Sequence, residues 1–148
     1  MAMDAFSASL MADKREIIFA PTVYKFQTFA QMAEEFQLNE RDVVLTNEFI
    51  YTPFMKELGL KCSFVFQEKF GAGEPSEAMI QTMYDAIPYD SYDRVIAVGG
   101  GAIMDLCKLL GCKRPDSVHE LYYKRFPVVH EKDVIAIPTT CGTGSECT

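Results

Sequence analysis

The chain has 148 residues, 49% of them hydrophobic, and 14 basic against 21 acidic residues give it a net charge of −7. That length and apolar content suit one ordinary domain with a single core and exclude a disordered chain. The acidic balance, with no Lys/Arg cluster, excludes nucleic acid and anionic membrane surfaces as partners, and no apolar run is long enough to span a bilayer. Five cysteines, an odd number with no Cys-x-x-Cys pair, argue against a disulfide framework and a zinc site. They read as small buried thiols in a reducing cytoplasm. Residues 1–15 carry no secretory signal and read as a flexible leader, followed by a domain over 16–148.

In chain order, residues 17–19 and 23–26 read as short strands around Pro21. Thr28 is placed to cap a helix running through Phe36. The apolar run Val43-Val44-Leu45-Thr46 suits a strand buried on both faces. A helix follows over 49–58, broken near Pro53 and closed by Gly59. A strand at 63–66 leads into the loop Gly71-Ala72-Gly73-Glu74-Pro75. Ser76 and Glu77 then open a helix with Met79, Ile80, Met83 and Ile87 on one face. A strand at 94–98 runs into three glycines and a helix at 102–110. Residues 118–123 suggest a short helix, and the last strand is 134–137, ending at Pro138. Strands alternating with helices predict an α/β fold. It is a Rossmann-like open, mostly parallel sheet with helices on both faces. Ligands of such sheets bind outside the carboxyl ends of the strands.

Two loops at such ends are unusual in composition. Gly99-Gly100-Gly101 follows a strand directly and opens a helix. With no Cβ atoms, the turn lets backbone N–H groups approach a ligand, and the helix dipole aims at the same point, which suits a diphosphate. A plain tight turn is the alternative. Asp105 and Lys108 sit on one face of that helix, either as a surface ion pair or with Asp105 turned into the cleft. The second loop, Pro138-Thr139-Thr140-Cys141-Gly142-Thr143-Gly144-Ser145-Glu146, alternates hydroxyls with glycines. Hydroxyls donate to phosphate and accept from sugar or amide groups. The alternative is a solvated loop or a helix cap.

Taken together, the motif from Val98 through Gly99-Gly100-Gly101-Ala102 to Asp105 and Lys108, and then Pro138-Thr139-Thr140 to Gly142-Thr143-Gly144-Ser145-Glu146, resembles the paired signature of iron-containing alcohol dehydrogenases. The resemblance runs from about Ile18 to the end of the chain. It implies an NAD(P)-dependent oxidoreductase acting on a small hydroxy acid or alcohol, and a homo-oligomer is compatible with it. Gly99, Gly100 and Gly101 would cradle the pyrophosphate, and Asp105 would reach the nicotinamide carboxamide. Thr139, Thr140, Thr143 and Ser145 would line the phosphate, ribose and nicotinamide. The family's divalent metal, iron or zinc, is held by one Asp and three His beyond the second motif. This chain has only His119 and His130, both before it. The expectation is therefore a cofactor-binding part truncated ahead of an all-helical metal domain, with no catalytic or metal residue of its own. The other readings are a stand-alone nucleotide-binding module and a family member acting on another small alcohol. Two further departures stand out. Ala102 replaces the usual Ser after the third glycine. Asn47 stands where many members have an Asp that accepts from the adenosine ribose, which leaves NAD and NADP both open.

Overall fold

The computed structural model describes residues 22–123, 125–142 and 144–147. Four strands, β1 (Asp42–Thr46), β2 (Ser63–Phe66), β3 (Arg94–Gly99) and β4 (Asp133–Pro138), form one sheet in the order β2-β1-β3-β4. All three pairings are parallel, with Val44 opposite Phe64 and Ile96, and Ile96 opposite Ile135. The helices are α1 (Phe29–Glu35), α2 (Glu48–Phe54), α3 (Glu77–Ala86), α4 (Gly101–Gly111) and α5 (Val118–Tyr122).

The sheet is covered on both faces because its central strands are apolar without interruption. Val43, Leu45, Val95 and Ala97 face one cluster with Met79 and Met83 of α3 and Ile103, Leu106 and Leu110 of α4. Val44, Ile96 and Val98 face the other, with Met32 of α1 and Ile50 of α2. Each large side chain buried this way contributes roughly 1.5–3 kcal/mol. β4 is an edge strand, and its residues are only partly covered.

Local signals set the helix starts. The Gln31 and Met79 amides donate to Thr28 Oγ1 and Ser76 Oγ, each at 3.2 Å. Pro53 sits inside α2, which gives way to a 3-10 turn at Lys56–Leu58, stopped by Gly59 at φ 59°. Residues 23–26 are not the strand expected. They find no pairing partner among the described residues, and Val23 is 85% exposed. Instead, the Tyr24 and Phe26 rings pack edge-on against Phe36 at 5.2 and 6.1 Å. The strand expected at 17–19 and the leader expected at 1–15 lie outside the described residues.

Two polar anchors close the amino end of the sheet. Asp42, only 2% exposed, receives Arg94 Nε and Nη2 at 2.7 and 2.8 Å and the Asn39 amide at 2.7 Å. Arg94 Nη2 also donates to the Phe36 carbonyl at 2.9 Å, which ties the end of α1 to the start of β1 and β3. The Tyr84 and Tyr92 hydroxyls donate to the Leu109 and Leu110 carbonyls at 3.1 and 2.7 Å, satisfying the last turn of α4. With its carboxyl end fixed here, α4 presents its amino end at the opposite rim.

The thiols divide by environment. Cys62, Cys107 and Cys112 are buried, as expected, but Cys141 on the threonine-glycine loop is exposed, a departure from the uniform burial expected. Burial pushes the Cys62 thiol up to about 11 and Cys107 up further. In the native chain at pH 7.5, a disulfide reagent is expected to label Cys141 first. Cys62, Cys107 and Cys112 should react only on unfolding. Equal labelling of all five thiols in the native state would contradict this packing.

Candidate functional site

The strand order reverses at β1, since β2 lies on one side of it and β3 and β4 on the other. The crevice at the carboxyl ends of β1 and β3 is therefore a topological switch point. A cleft of about 370 Å³ opens there. The ends of all four strands contribute to it: Asn47 and Phe49 after β1, Gln67, Gly73 and Glu74 after β2, Gly100 to Ile103 after β3, and Thr139 and Thr140 after β4. A larger depression of about 530 Å³ beside α1 is lined by Phe26, Gln31, Glu34, Glu35 and Gln37. It lies away from the strand ends and brings no helix amino terminus to bear.

The glycines differ in what they do. A Cβ on Gly99 would press into the Ile103 side chain, with Ile103 Cβ itself only 3.1 Å away, so Gly99 permits α4 to pack against the end of β3. Its carbonyl accepts the Thr139 amide at 3.0 Å, which joins the two loops. Gly100 has φ −84° and ψ −172°, extended backbone open to any residue. A Cβ there would sit 3.5 Å from Thr140 Oγ1, an ordinary contact at the cleft lining. The fold therefore does not require glycine at position 100, and its bare backbone borders the cleft. As N-cap of α4 it supplies no side-chain cap, so the first amides of the helix are left for a ligand.

Of the residues expected to bind cofactor, the structure brings Asn47, Gly100, Gly101, Thr139 and Thr140 together. Asn47 is the N-cap of α2, yet its side chain makes no capping hydrogen bond. Gly99 lies behind the lining. Asp105 lies one turn into α4 and accepts from Lys108 Nζ at 3.1 Å, outside the cleft lining. Ser145 sits in a 3-10 turn, Ser145–Cys147, that rests against α4 and β4. Thr143 lies outside the described residues. Gln67, Gly73 and Glu74 belong to the lining and were not assigned to the cofactor site from the sequence. Gln67 directly follows β2, the fourth strand end at the same rim, and the strand order that brings it there is seen only in the fold. The Gln67 amide holds that loop by donating to the Gly73 carbonyl at 3.3 Å, and Gly73 turns the chain with φ 82°.

The arrangement can hold a diphosphate. It has an uncapped amino terminus on an eleven-residue helix, a residue without Cβ against it, and threonine hydroxyls beside both. These residues fit a dinucleotide. They do not fit a metal: among the described residues no three His, Cys, Asp or Glu side chains gather into a possible site. His119 bonds Glu77 at 3.1 Å, and His130 lies beside Cys112.

Residues 20–148 match the sequence profile of the family described as iron-containing alcohol dehydrogenase. The 4-hydroxybutyrate dehydrogenase of Clostridium kluyveri is 45% identical over 129 residues, which is 87% of this chain and 35% of that protein. The chain thus spans about a third of that relative's length. Among solved structures, sulfoacetaldehyde reductase from Bifidobacterium kashiwanohense, in complex with NAD+, superposes with a TM-score of 0.62 at 25% identity, covering 81% of this chain and 33% of that one. An iron-containing alcohol dehydrogenase from Thermotoga maritima gives 0.58 at 29% identity, covering 81% and 35%.

Proposed function

The chain belongs to the iron-containing alcohol dehydrogenase family, and from that premise we propose that it is the NAD-binding part of a metal-dependent dehydrogenase that oxidises 4-hydroxybutyrate to succinate semialdehyde. Residues 16–148 form the cofactor-binding unit. The metal, iron or zinc, is assigned to the part of the relatives' length that this chain does not span. The observation that carries the cofactor reading is the cleft at the carboxyl ends of all four strands, opened onto the bare amino terminus of α4.

In this reading the Gly100 and Gly101 amides and the α4 dipole bind the diphosphate. Thr139, Thr140, Thr143 and Ser145 orient the ribose and nicotinamide through their hydroxyls. Asp105, one turn into α4 and paired with Lys108, reaches the carboxamide in this reading only by turning from that pair toward the cleft. Asn47 faces the adenosine ribose. Oxidation removes a hydride from the carbon bearing the hydroxyl and releases the hydroxyl proton to solvent; NAD, when bound, accepts that hydride. The substrate assignment rests on the likeness to 4-hydroxybutyrate dehydrogenase across most of the chain.

The chain is expected to bind NADH yet to form none from 4-hydroxybutyrate and NAD, with Fe²⁺ or Zn²⁺ added, above the protein-free rate. In this reading a Lewis acid activates the alcohol, and among the described residues no group of side chains gathers to hold one. Metal-dependent NADH formation by the chain alone would overturn this division of labour. The substrate is tested in the protein extended to the length of its relatives. There, 4-hydroxybutyrate should exceed glycerol and lactaldehyde in kcat/KM, and a preference for either of those would overturn the assignment.

A further inference from the structure

We propose that Glu74 makes this cleft selective for NAD over NADP, an inference that rests on the cofactor reading above. Across the cleft from the glycines, the lining is Asn47, Gln67, Gly73 and Glu74. Among the described residues that line the cleft, Glu74 is the one ionisable side chain. No lysine or arginine stands among these described residues to receive an added phosphate. With the diphosphate on the amino terminus of α4, the adenosine ribose extends toward the carboxyl ends of β1 and β2, where a dinucleotide's ribose sits in open parallel sheets. An acidic side chain at that end accepts from the 2′-hydroxyl and repels a 2′-phosphate. Asn47 at the end of β1 is neutral and does the first task without the second. Glu74 supplies the charge from the neighbouring strand's loop.

The loop that carries Glu74 is held in place just before it. The Gln67 side chain holds the Gly73 carbonyl at 3.3 Å, and Gly73 takes the left-handed turn at φ 82° just before Glu74. A second bond steadies the same rim, where the Glu48 amide donates to Glu68 Oε1 at 3.1 Å and ties the start of α2 to the turn after β2. Glu48 and Glu68 add negative charge near Asn47, while Lys69 of the same turn sits over the Phe66 ring, 5.3 Å from its centre.

The test is a pair of fluorescence titrations, NADH and NADPH, on the wild-type chain, Glu74→Gln and Glu74→Asp, with circular dichroism for folding. Wild type is expected to bind NADPH about ten- to thirtyfold more weakly than NADH at low salt, the scale of one exposed carboxylate facing a doubly charged phosphate. The ratio should shrink as salt rises. Glu74→Gln should bring the two cofactors within about threefold of each other, mainly by strengthening NADPH, while Glu74→Asp retains most of the discrimination. A loss of structure in the loop would weaken both cofactors alike and would not produce this split. Equal binding of NADH and NADPH by wild type, or an unchanged ratio in Glu74→Gln, overturns the inference and leaves the cofactor reading standing. If neither cofactor binds, the cofactor reading falls and this inference falls with it.

Discussion

Gly100→Val is expected to abolish NADH binding while the chain stays folded. The backbone at Gly100 is extended, a conformation β-branched residues adopt readily, and the space next to it borders Thr140 without a clash. The new side chain instead occupies the cleft where a diphosphate has to touch the first amides of α4. Losing even two charge-assisted amide bonds, each worth roughly 1.5–3 kcal/mol, weakens binding by at least about a hundredfold. Gly100→Ala should sit between the two, about tenfold weaker than wild type. Cofactor titration with circular dichroism as the folding control checks this. Were Gly100→Val to bind NADH like wild type, the three glycines would be an ordinary tight turn. Gly99→Ala is the contrasting change, since its Cβ meets Ile103 and its cost falls on packing.

Asp42→Ala is expected to be the most destabilising single polar substitution, at about 3–5 kcal/mol. It strips a buried carboxylate that binds Arg94 through two bonds and also caps the Asn39 amide. The Arg94 guanidinium is then left with the Phe36 carbonyl and the Phe36 ring, 6.0 Å away. Removing one partner of such a pair costs more than replacing both, so Asp42→Leu combined with Arg94→Met should be milder than Asp42→Ala. Urea unfolding of these two variants beside wild type checks the order. A loss below about 1 kcal/mol in Asp42→Ala would mean that the pair behaves as a surface ion pair. The cofactor site should feel this change only through stability, because the pair sits at the amino end of the sheet and the cleft at the carboxyl end.

The frame was legible because its signals are local. Val43 to Thr46 reads as a buried strand from four adjacent residues, and all five residues of β1 are buried. Thr28 and Ser76 announce their helices through hydroxyls that find the amides three residues on. The two loops could be placed at strand ends because the strands before them were clear. Residues 23–26 misled because apolar and aromatic content alone suits a strand, whereas pairing needs a neighbour and the rings found Phe36 instead. The place of Glu74 and Gln67 in the cleft was not expected because it arises from spatial order. β2 lies beside β1 at the far side of the switch point, which no local pattern records. The different duties of Gly99 and Gly100 were likewise hidden, since both are glycines in one run and only their neighbours, Ile103 and Thr140, separate them.

The central claim is that a dinucleotide seats its diphosphate on the amino end of α4, at the carboxyl rim of the sheet. An NMR titration of the ¹⁵N-labelled chain with NAD tests it most directly. The largest amide shifts are expected at Gly100, Gly101 and Ala102, with smaller ones at Asn47, Thr139 and Thr140, and with the Asp42, Arg94 and Tyr92 amides unmoved. Shifts centred on the amino rim or on the depression beside α1, or no shifts at millimolar NAD, would contradict the account.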